Sequence, residues 1–256
     1  VEWFEVLLLG IVEGFTEFLP ISSTGHLIMA SYVLGIAQTD FHKTFTIAIQ
    51  FGAILAVVAV FWRKFLDIHM LARLCVAFVP TGVLGFLFYK TIKTYLLGNE
   101  VVVLAALFLG GILLLIFEWW YVEKEGALDD VRHLSYAKAA ILGVCQAAAM
   151  IPGVSRSAAT IAGGLFLGMR RTAIVEFSFL LAVPTMLVAS CFALFKDPPA
   201  IVWDELGVLG LGFGAAFLTA LISIVWLLRF IRTHTFVPFA LYRIAIAIVF
   251  AWVLWG

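Results

Sequence analysis

Glu13 and Glu17 lie four residues apart in an otherwise apolar stretch. On a helix they share one face, with about 5–6 Å between their Cβ atoms. Two ionised carboxylates that close repel by roughly 4 kcal/mol at about 4 Å and an effective dielectric near 20, which favours a shared proton or a cation bound between them. Pro20 and the run Ser22-Ser23-Thr24-Gly25-His26 follow directly. The hydroxyls stand where a helix begins after the proline, so one of them is expected to be an N-cap. A half-helix starting there aims free N–H groups and its positive end at any anion bound in front of it. A lone histidine on an apolar helix is more often a satisfied core residue, but the acids and hydroxyls around His26 point to function.

A second polar cluster is Pro152-Gly153-Val154-Ser155-Arg156-Ser157, with Thr160 one turn on. Arg156 keeps its charge at any ordinary pH, and its planar fork of donors fits phosphate oxygens. With Ser155, Ser157 and Thr160 it forms a phosphate cradle at the start of a second half-helix. An ion pair from Arg156 to Glu13 or Glu17 is the structural alternative. Both readings are expected to hold, the carboxylates keeping Arg156 until substrate arrives.

These clusters sit in a chain that is 64% hydrophobic and 12% charged, far below the roughly 25% charged residues of a soluble domain. Its mean hydropathy is +1.13. The chain is a polytopic membrane protein, in which each charge at bilayer depth costs roughly 2.5–3.5 kcal/mol and marks a functional site by default. A formal net charge of zero gives no basic face for nucleic acid. Cys75, Cys145 and Cys191 lie apart in apolar surroundings and read as small buried hydrophobes. The first segment lacks the basic n-region and small-residue cleavage site of a removable signal peptide.

Apolar runs near 44–62, 73–89, 101–121, 173–195, 207–228 and 236–255 are long enough to cross a bilayer as helices. Shorter pieces near 3–18, 23–36, 138–151 and 156–168 meet in pairs at the two polar clusters. The spacing predicts two re-entrant helical hairpins, whose non-helical backbone is tolerated at depth where protein or a polar cavity surrounds it. A shift of 133 positions superposes Gly10 on Gly143, Glu13 on Gln146, Ser22 on Ser155, Thr24 on Ser157, Ile28 on Ile161 and Leu34-Gly35 on Leu167-Gly168. Three spans separate the copies, so the second is upside down relative to the first. The expected fold is one all-α membrane domain over 1–256, with six transmembrane helices and two re-entrant hairpins. Its inverted-repeat copies cover about 3–121 and 136–255, with the site near the midplane.

Under this arrangement Arg63, Lys64, Arg73, Lys124, Arg132, Lys138, Arg170, Arg171, Arg229 and Arg232 face one side, against Lys43, Lys90, Lys93 and Lys196 on the other. The richer side is expected to be cytoplasmic, which turns both termini and the mouth of the first hairpin outward. Trp119, Trp120, Tyr121, Trp252 and Trp255 sit at span ends as interfacial anchors. The copies diverge in chemistry, with Gln146 for Glu13, Met150 for Glu17 and Arg156 for Ser23. One half supplies proton and metal chemistry and the other neutralises an anion, which points to a lipid-borne phosphate.

Glu13-x-x-x-Glu17 with Pro20-x-Ser22-Ser23-Thr24-Gly25-His26, and Pro152-Gly153-x-Ser155-Arg156-Ser157-x-x-Thr160, resemble the two motifs of the undecaprenyl-pyrophosphate phosphatase family, the integral-membrane type linked to bacitracin resistance. Both motifs are complete and in order, and the span pattern agrees over essentially the whole chain. The resemblance implies hydrolysis of undecaprenyl pyrophosphate to the monophosphate carrier lipid for peptidoglycan, in the bacterial plasma membrane, with a divalent cation such as Mg2+ or Ca2+. It implies a site of Glu13, Glu17, Ser23, His26, Ser155, Arg156, Ser157 and Thr160, with Ser22 and Thr24 joining the phosphate-binding set and Glu13 and Glu17 as metal ligands. Ser23 activated by His26 or Glu17 is the expected nucleophile; water with Glu17 as base, or His26 itself, is the alternative. The partner is the polyprenyl pyrophosphate lipid, and a homo-oligomer is left open. A lipid-phosphate flippase or secondary transporter with the same inverted-repeat site is the rival function. The type-2 phosphatidic-acid phosphatases share a serine-glycine-histidine motif similar to Ser23-Thr24-Gly25-His26. They need a histidine six residues after the arginine, where this chain has Ala162.

Overall fold

In the computed structural model, residues 2–37, 39–196, 198 and 205–255 are described. Their regular elements are helices: α1 (Trp3–Thr16), α2 (Ser23–Val33), α3 (Asp40–Phe61), α4 (Ile68–Thr91), α5 (Glu100–Trp120), α6 (Tyr136–Ala147), α7 (Arg156–Phe166), α8 (Arg171–Lys196), α9 (Leu206–Phe230) and α10 (Val237–Trp255). Six are long and apolar enough to cross a membrane: α3, α4 with its π-helical continuation to Leu96, α5, α8, α9 and α10. They coincide with the six runs read from hydropathy. The second is longer than hydropathy suggests, because Asp67 caps it by accepting from His69 N at 2.9 Å and Arg73 inside it is satisfied by Leu134 O and His69 O, each at 2.7 Å.

The short helices pack by close backbone approach. α1 lies against α9 and α6 against α4. A Cβ on Gly10 would come within 2.6 Å of Gly212 O, and one on Gly143 would collide with Ala77 O. Only glycine permits these contacts, and in lipid such approach is a main source of helix association. The centre of the molecule is filled by a cluster that includes Phe18, Leu142, Ile161, Phe177, Phe179 and Phe239.

The cation-rich loops gather at one end. Lys64 pairs with Glu176 at 2.9 Å, Lys138 donates to Leu167 O at 2.9 Å, and Arg171 forms a bidentate pair with Glu118. Glu118 also accepts from Phe236 N at 3.2 Å, so it ties α5, α8 and the start of α10 together. At the opposite end the Lys196 ammonium sits 3.7 Å from the ring centre of Tyr89 and that of Lys93 5.9 Å from it. Trp119, Trp120, Trp252 and Trp255 are exposed at helix ends, whereas Tyr121 is partly buried beneath Arg171. The three cysteines are free thiols, but Cys75 and Cys191 are exposed rather than buried. In a membrane protein an apolar run does not specify which face turns inward, because lipid accepts a thiol as readily as the core does.

Candidate active site

After α1 and α6 the chain turns through Pro20 and Pro152, which lack an amide donor and bar continuation of the helix. Ser22 and Ser155 then adopt φ of 72° and 67°, the positive values found for non-glycine residues among those described. Such a conformation costs about 1–3 kcal/mol each and persists only where its surroundings fix it. Here the hydroxyls help to fix it: Ser22 Oγ accepts from Gly25 N at 3.4 Å and Ser155 Oγ from Ala158 N at 3.3 Å. α2 and α7 therefore begin abruptly, with Ser23 and Arg156 as their first residues.

The two turns share a cavity of about 150 Å³, roomy enough for several waters or one phosphate-sized group. Glu17, Ser22, Ser23 and Thr24 line it from the first turn, Ala149, Gly153, Ser155 and Arg156 from the second, and Gln50 and Met186 from α3 and α8. Ser23 Oγ donates to Glu17 Oε2 in a short hydrogen bond. Arg156 Nη2 donates to Glu17 Oε1 at 3.2 Å, and its Nη1 to Ser178 O at 2.8 Å. The pair joins side chains only 10% and 8% exposed, so the expected ion pair across the two clusters is present with Glu17 as the carboxylate. Breaking it from one side would leave a buried charge, at a cost of about 3–5 kcal/mol.

The other sequence-derived residues stand behind this wall. His26 Nδ1 lies 2.8 Å from Ser22 O and must donate to it, so Nε2 accepts from Tyr242 OH, also at 2.8 Å. The two rings stack 6° from parallel. Both nitrogens are thus engaged outside the cavity, whereas the Glu17 carboxylate lies beside the Ser23 hydroxyl. Thr160 Oγ1 donates to Arg156 O at 2.9 Å, and Ser157 is fully buried with no partner for its hydroxyl among the described residues. Glu13 is fully buried one turn before Glu17, and neither carboxylate oxygen has a partner among the described residues.

Glu13 is therefore the clearest opening for a further ligand. Its two oxygens, unpaired among the described residues, and the carboxylate of Glu17 at the C-terminal cap of α1 are hard donors of the kind Mg2+ and Ca2+ prefer. No group of three or more His, Cys, Asp or Glu side chains suited to a metal occurs among the described residues. Two carboxylates alone would not fill the shell of such a cation, so phosphate oxygens or water would have to complete it, as is usual for Mg2+.

Gln50, Ser178 and Tyr242 were not singled out from the sequence, and neither was Arg243. Gln50 and Arg243 carry a visible signal, each being a polar residue within an apolar span. Ser178 acts through its main-chain oxygen and Tyr242 is one of several span tyrosines, so neither has one.

The six long apolar helices around a buried polar cavity define an integral-membrane protein with charged and hydroxyl groups at its centre. Residues 6–249 match the family described as "Bacitracin resistance protein BacA", and the chain belongs to that family. It is 49% identical over 251 residues to a protein of Aquifex aeolicus, covering 98% of this chain and 97% of the relative. It is 50% identical over 251 residues to one of Thermus thermophilus, covering 96% and 95%, and 48% identical over 246 residues to one of Sulfurihydrogenibium sp., covering 96% and 97%. Each of the three is named undecaprenyl-diphosphatase.

Proposed function

We infer that this chain is an undecaprenyl-diphosphatase, hydrolysing undecaprenyl pyrophosphate to undecaprenyl phosphate and inorganic phosphate within the membrane. The observation that carries this reading is the linked set Ser23, Glu17 and Arg156, which joins a hydroxyl, a base and a phosphate-binding guanidinium across two turns in one cavity. Near-full-length relatives carrying that name support it, and they do not favour a transporter.

In the proposed reaction Ser23 Oγ attacks the terminal phosphorus and gives its proton to Glu17. Glu17 passes it to the bridging oxygen as the bond to undecaprenyl phosphate breaks. Water then attacks the phosphoserine, its proton moves to Glu17, and Glu17 returns it to Ser23 as phosphate leaves. Arg156 and the free N–H groups at the starts of α2 and α7 hold the equatorial oxygens, where charge accumulates. Ser155, Ser22 and Thr24 shape the same end of the cavity. A divalent cation, when bound by Glu13 and Glu17, would supply charge neutralisation to the pyrophosphate. His26, braced by Tyr242, and Ser157 and Thr160, around Arg156, orient the two turns.

The architecture proposed for this chemistry is a single membrane domain in which α1–α2 and α6–α7 are re-entrant hairpins from opposite sides. They belong to inverted-repeat copies at about 3–121 and 136–255. Support comes from α2 and α7, each 11 residues long and 133 positions apart, from the matched angles at Ser22 and Ser155, and from the matched packing of α1 on α9 and α6 on α4. The cation-rich end is assigned to the cytoplasm of a bacterial cell, so the cavity opens to the periplasmic or extracellular side.

Purified protein in detergent should release phosphate from undecaprenyl pyrophosphate with Mg2+ or Ca2+, fall silent in chelator and recover when metal is returned. No release under any metal condition would overturn the activity; full activity in excess chelator would overturn the metal role. Orientation is tested separately in intact cells, in a background with Cys75, Cys145 and Cys191 replaced. Impermeant thiol reagent added outside should label Thr39→Cys and spare Asp129→Cys, both at exposed positions. The reverse pattern would turn the molecule over, and labelling from both sides would favour alternating access.

A further inference from the structure

Arg243, midway along α10, is 1% exposed, and every hydrogen bond it makes goes to a main-chain carbonyl. Nη1 donates to Pro20 O of the first turn at 3.4 Å and to Val154 O of the second at 3.2 Å. Nη2 donates to Gly153 O at 3.0 Å and to Ala106 O of α5 at 3.0 Å, and Nε to Leu107 O at 3.4 Å. A guanidinium has five N–H donors, and five carbonyls from three parts of the chain receive them. α5 makes room for the group: a Cβ on Gly110 would collide with Arg243 Nη2.

Carbonyls at irregular turns have no helical partner, and leaving one buried and unpaired is costly. One planar cation that answers carbonyls of both turns also sets the distance between them. That distance decides whether Ser23 and Glu17 face the same phosphorus as Arg156, because the first two ride on one turn and the third on the other.

We propose that Arg243 is a positioning residue for the phosphatase reaction, a clamp whose single guanidinium holds the two site-bearing turns in register. It touches no substrate in this arrangement and acts through Pro20, Gly153 and Val154. A lysine keeps the charge but offers three donors from a compact head, so it cannot span both turns and α5 at once. The proposal rests on the phosphatase reading above, and the two fail in different ways: wild-type protein inert on undecaprenyl pyrophosphate ends that reading, whereas a fully active Arg243→Lys enzyme ends only the clamp.

The test compares Arg243→Lys, Gly110→Ala and Glu118→Gln, each purified as monodisperse protein in detergent, with kcat expressed per folded molecule. In Arg243→Lys kcat should fall on the order of 30-fold with KM within about threefold of wild type, as expected when reacting groups are held slightly out of line. Gly110→Ala crowds the guanidinium without removing it and should lower kcat in the same way, about tenfold, still leaving KM in place. Glu118→Gln loosens the start of α10 at the far end and should lower the melting temperature while leaving kcat within twofold. Unchanged kcat in Arg243→Lys would overturn the clamp. So would an intact kcat with a KM raised about tenfold, which would make Arg243 a source of charge attraction. An equal fall in Glu118→Gln would also overturn it, since any loosening of α10 would then suffice. If Arg243→Lys does not fold, Gly110→Ala decides alone by the same kcat and KM criteria.

Discussion

Ser22 and Ser155 sit in turns of nearly the same backbone shape, with φ and ψ of 72° and 94° in the first and 67° and 115° in the second. Each caps an 11-residue helix. Yet the side chains around that shared backbone do different chemistry. Where the first turn is preceded by Glu13, the second is preceded by Gln146, whose amide nitrogen donates to Thr81 Oγ1 at 3.1 Å and Thr185 Oγ1 at 3.0 Å. Glu13 has no such partners among the described residues. Where the first helix opens with Ser23 the second opens with Arg156, and the two meet at Glu17. A helix that starts abruptly after a proline constrains backbone and capping hydroxyl in both turns, and leaves the neighbouring positions free to carry carboxylates and a hydroxyl in one and a guanidinium in the other.

Removing the chemistry of the first turn should have the largest effect. Ser23→Ala should lower phosphate release at least about 10³-fold, within the range for loss of a group in the proton-transfer chain, while binding of the lipid pyrophosphate persists. Retained turnover would move the attack to water with Glu17 as base. In the second turn, Arg156→Lys should cost about 10²-fold despite the conserved charge, because an ammonium cannot make the paired contacts to phosphate or to Glu17 and Ser178 O together. Near-normal turnover there would make the residue a counter-charge only.

Exchanging the divergent pair sharpens the comparison further. Glu13→Gln gives the first turn the second turn's residue without its threonines, and should lower kcat about tenfold and weaken the dependence on added Mg2+. The reciprocal Gln146→Glu should change kcat less than about threefold and show itself mainly as lower thermal stability, by about 1–3 kcal/mol for an acid in a site built for an amide. Equal kinetic losses in both would mean that the two positions are functionally alike, contrary to the division drawn here.

Much of this was legible in the residues. Glu17, Ser23 and Arg156 were visible because polar types interrupt apolar runs beside prolines, and the six spans because hydropathy and length suffice for a helix that need satisfy only itself. Pairing of Arg156 with a carboxylate was also readable, since two buried charges of opposite sign seek each other. The finer allocation was not. Glu13 and Glu17 look equivalent at four-residue spacing, but only Glu17 reaches the cavity wall. Nor does the sequence show that both nitrogens of His26 have partners, Ser22 O and Tyr242 OH. Arg243 shows in the sequence as a charge within an apolar span, but its partners do not, because they are carbonyls, which every residue carries and no sequence pattern distinguishes.

The bond between Glu17 and Arg156 spans 139 positions of chain, and this has a consequence for biosynthesis. When the first half of the protein leaves the ribosome, Glu17 exists before the cation that pairs with it has been translated. Until then Glu17 is an acid without its ion pair, which in apolar surroundings is costly unless it is protonated or hydrated. The Glu17–Arg156 pair is therefore a product of both halves of the chain, and a product truncated before residue 156 would carry the acid without its cation.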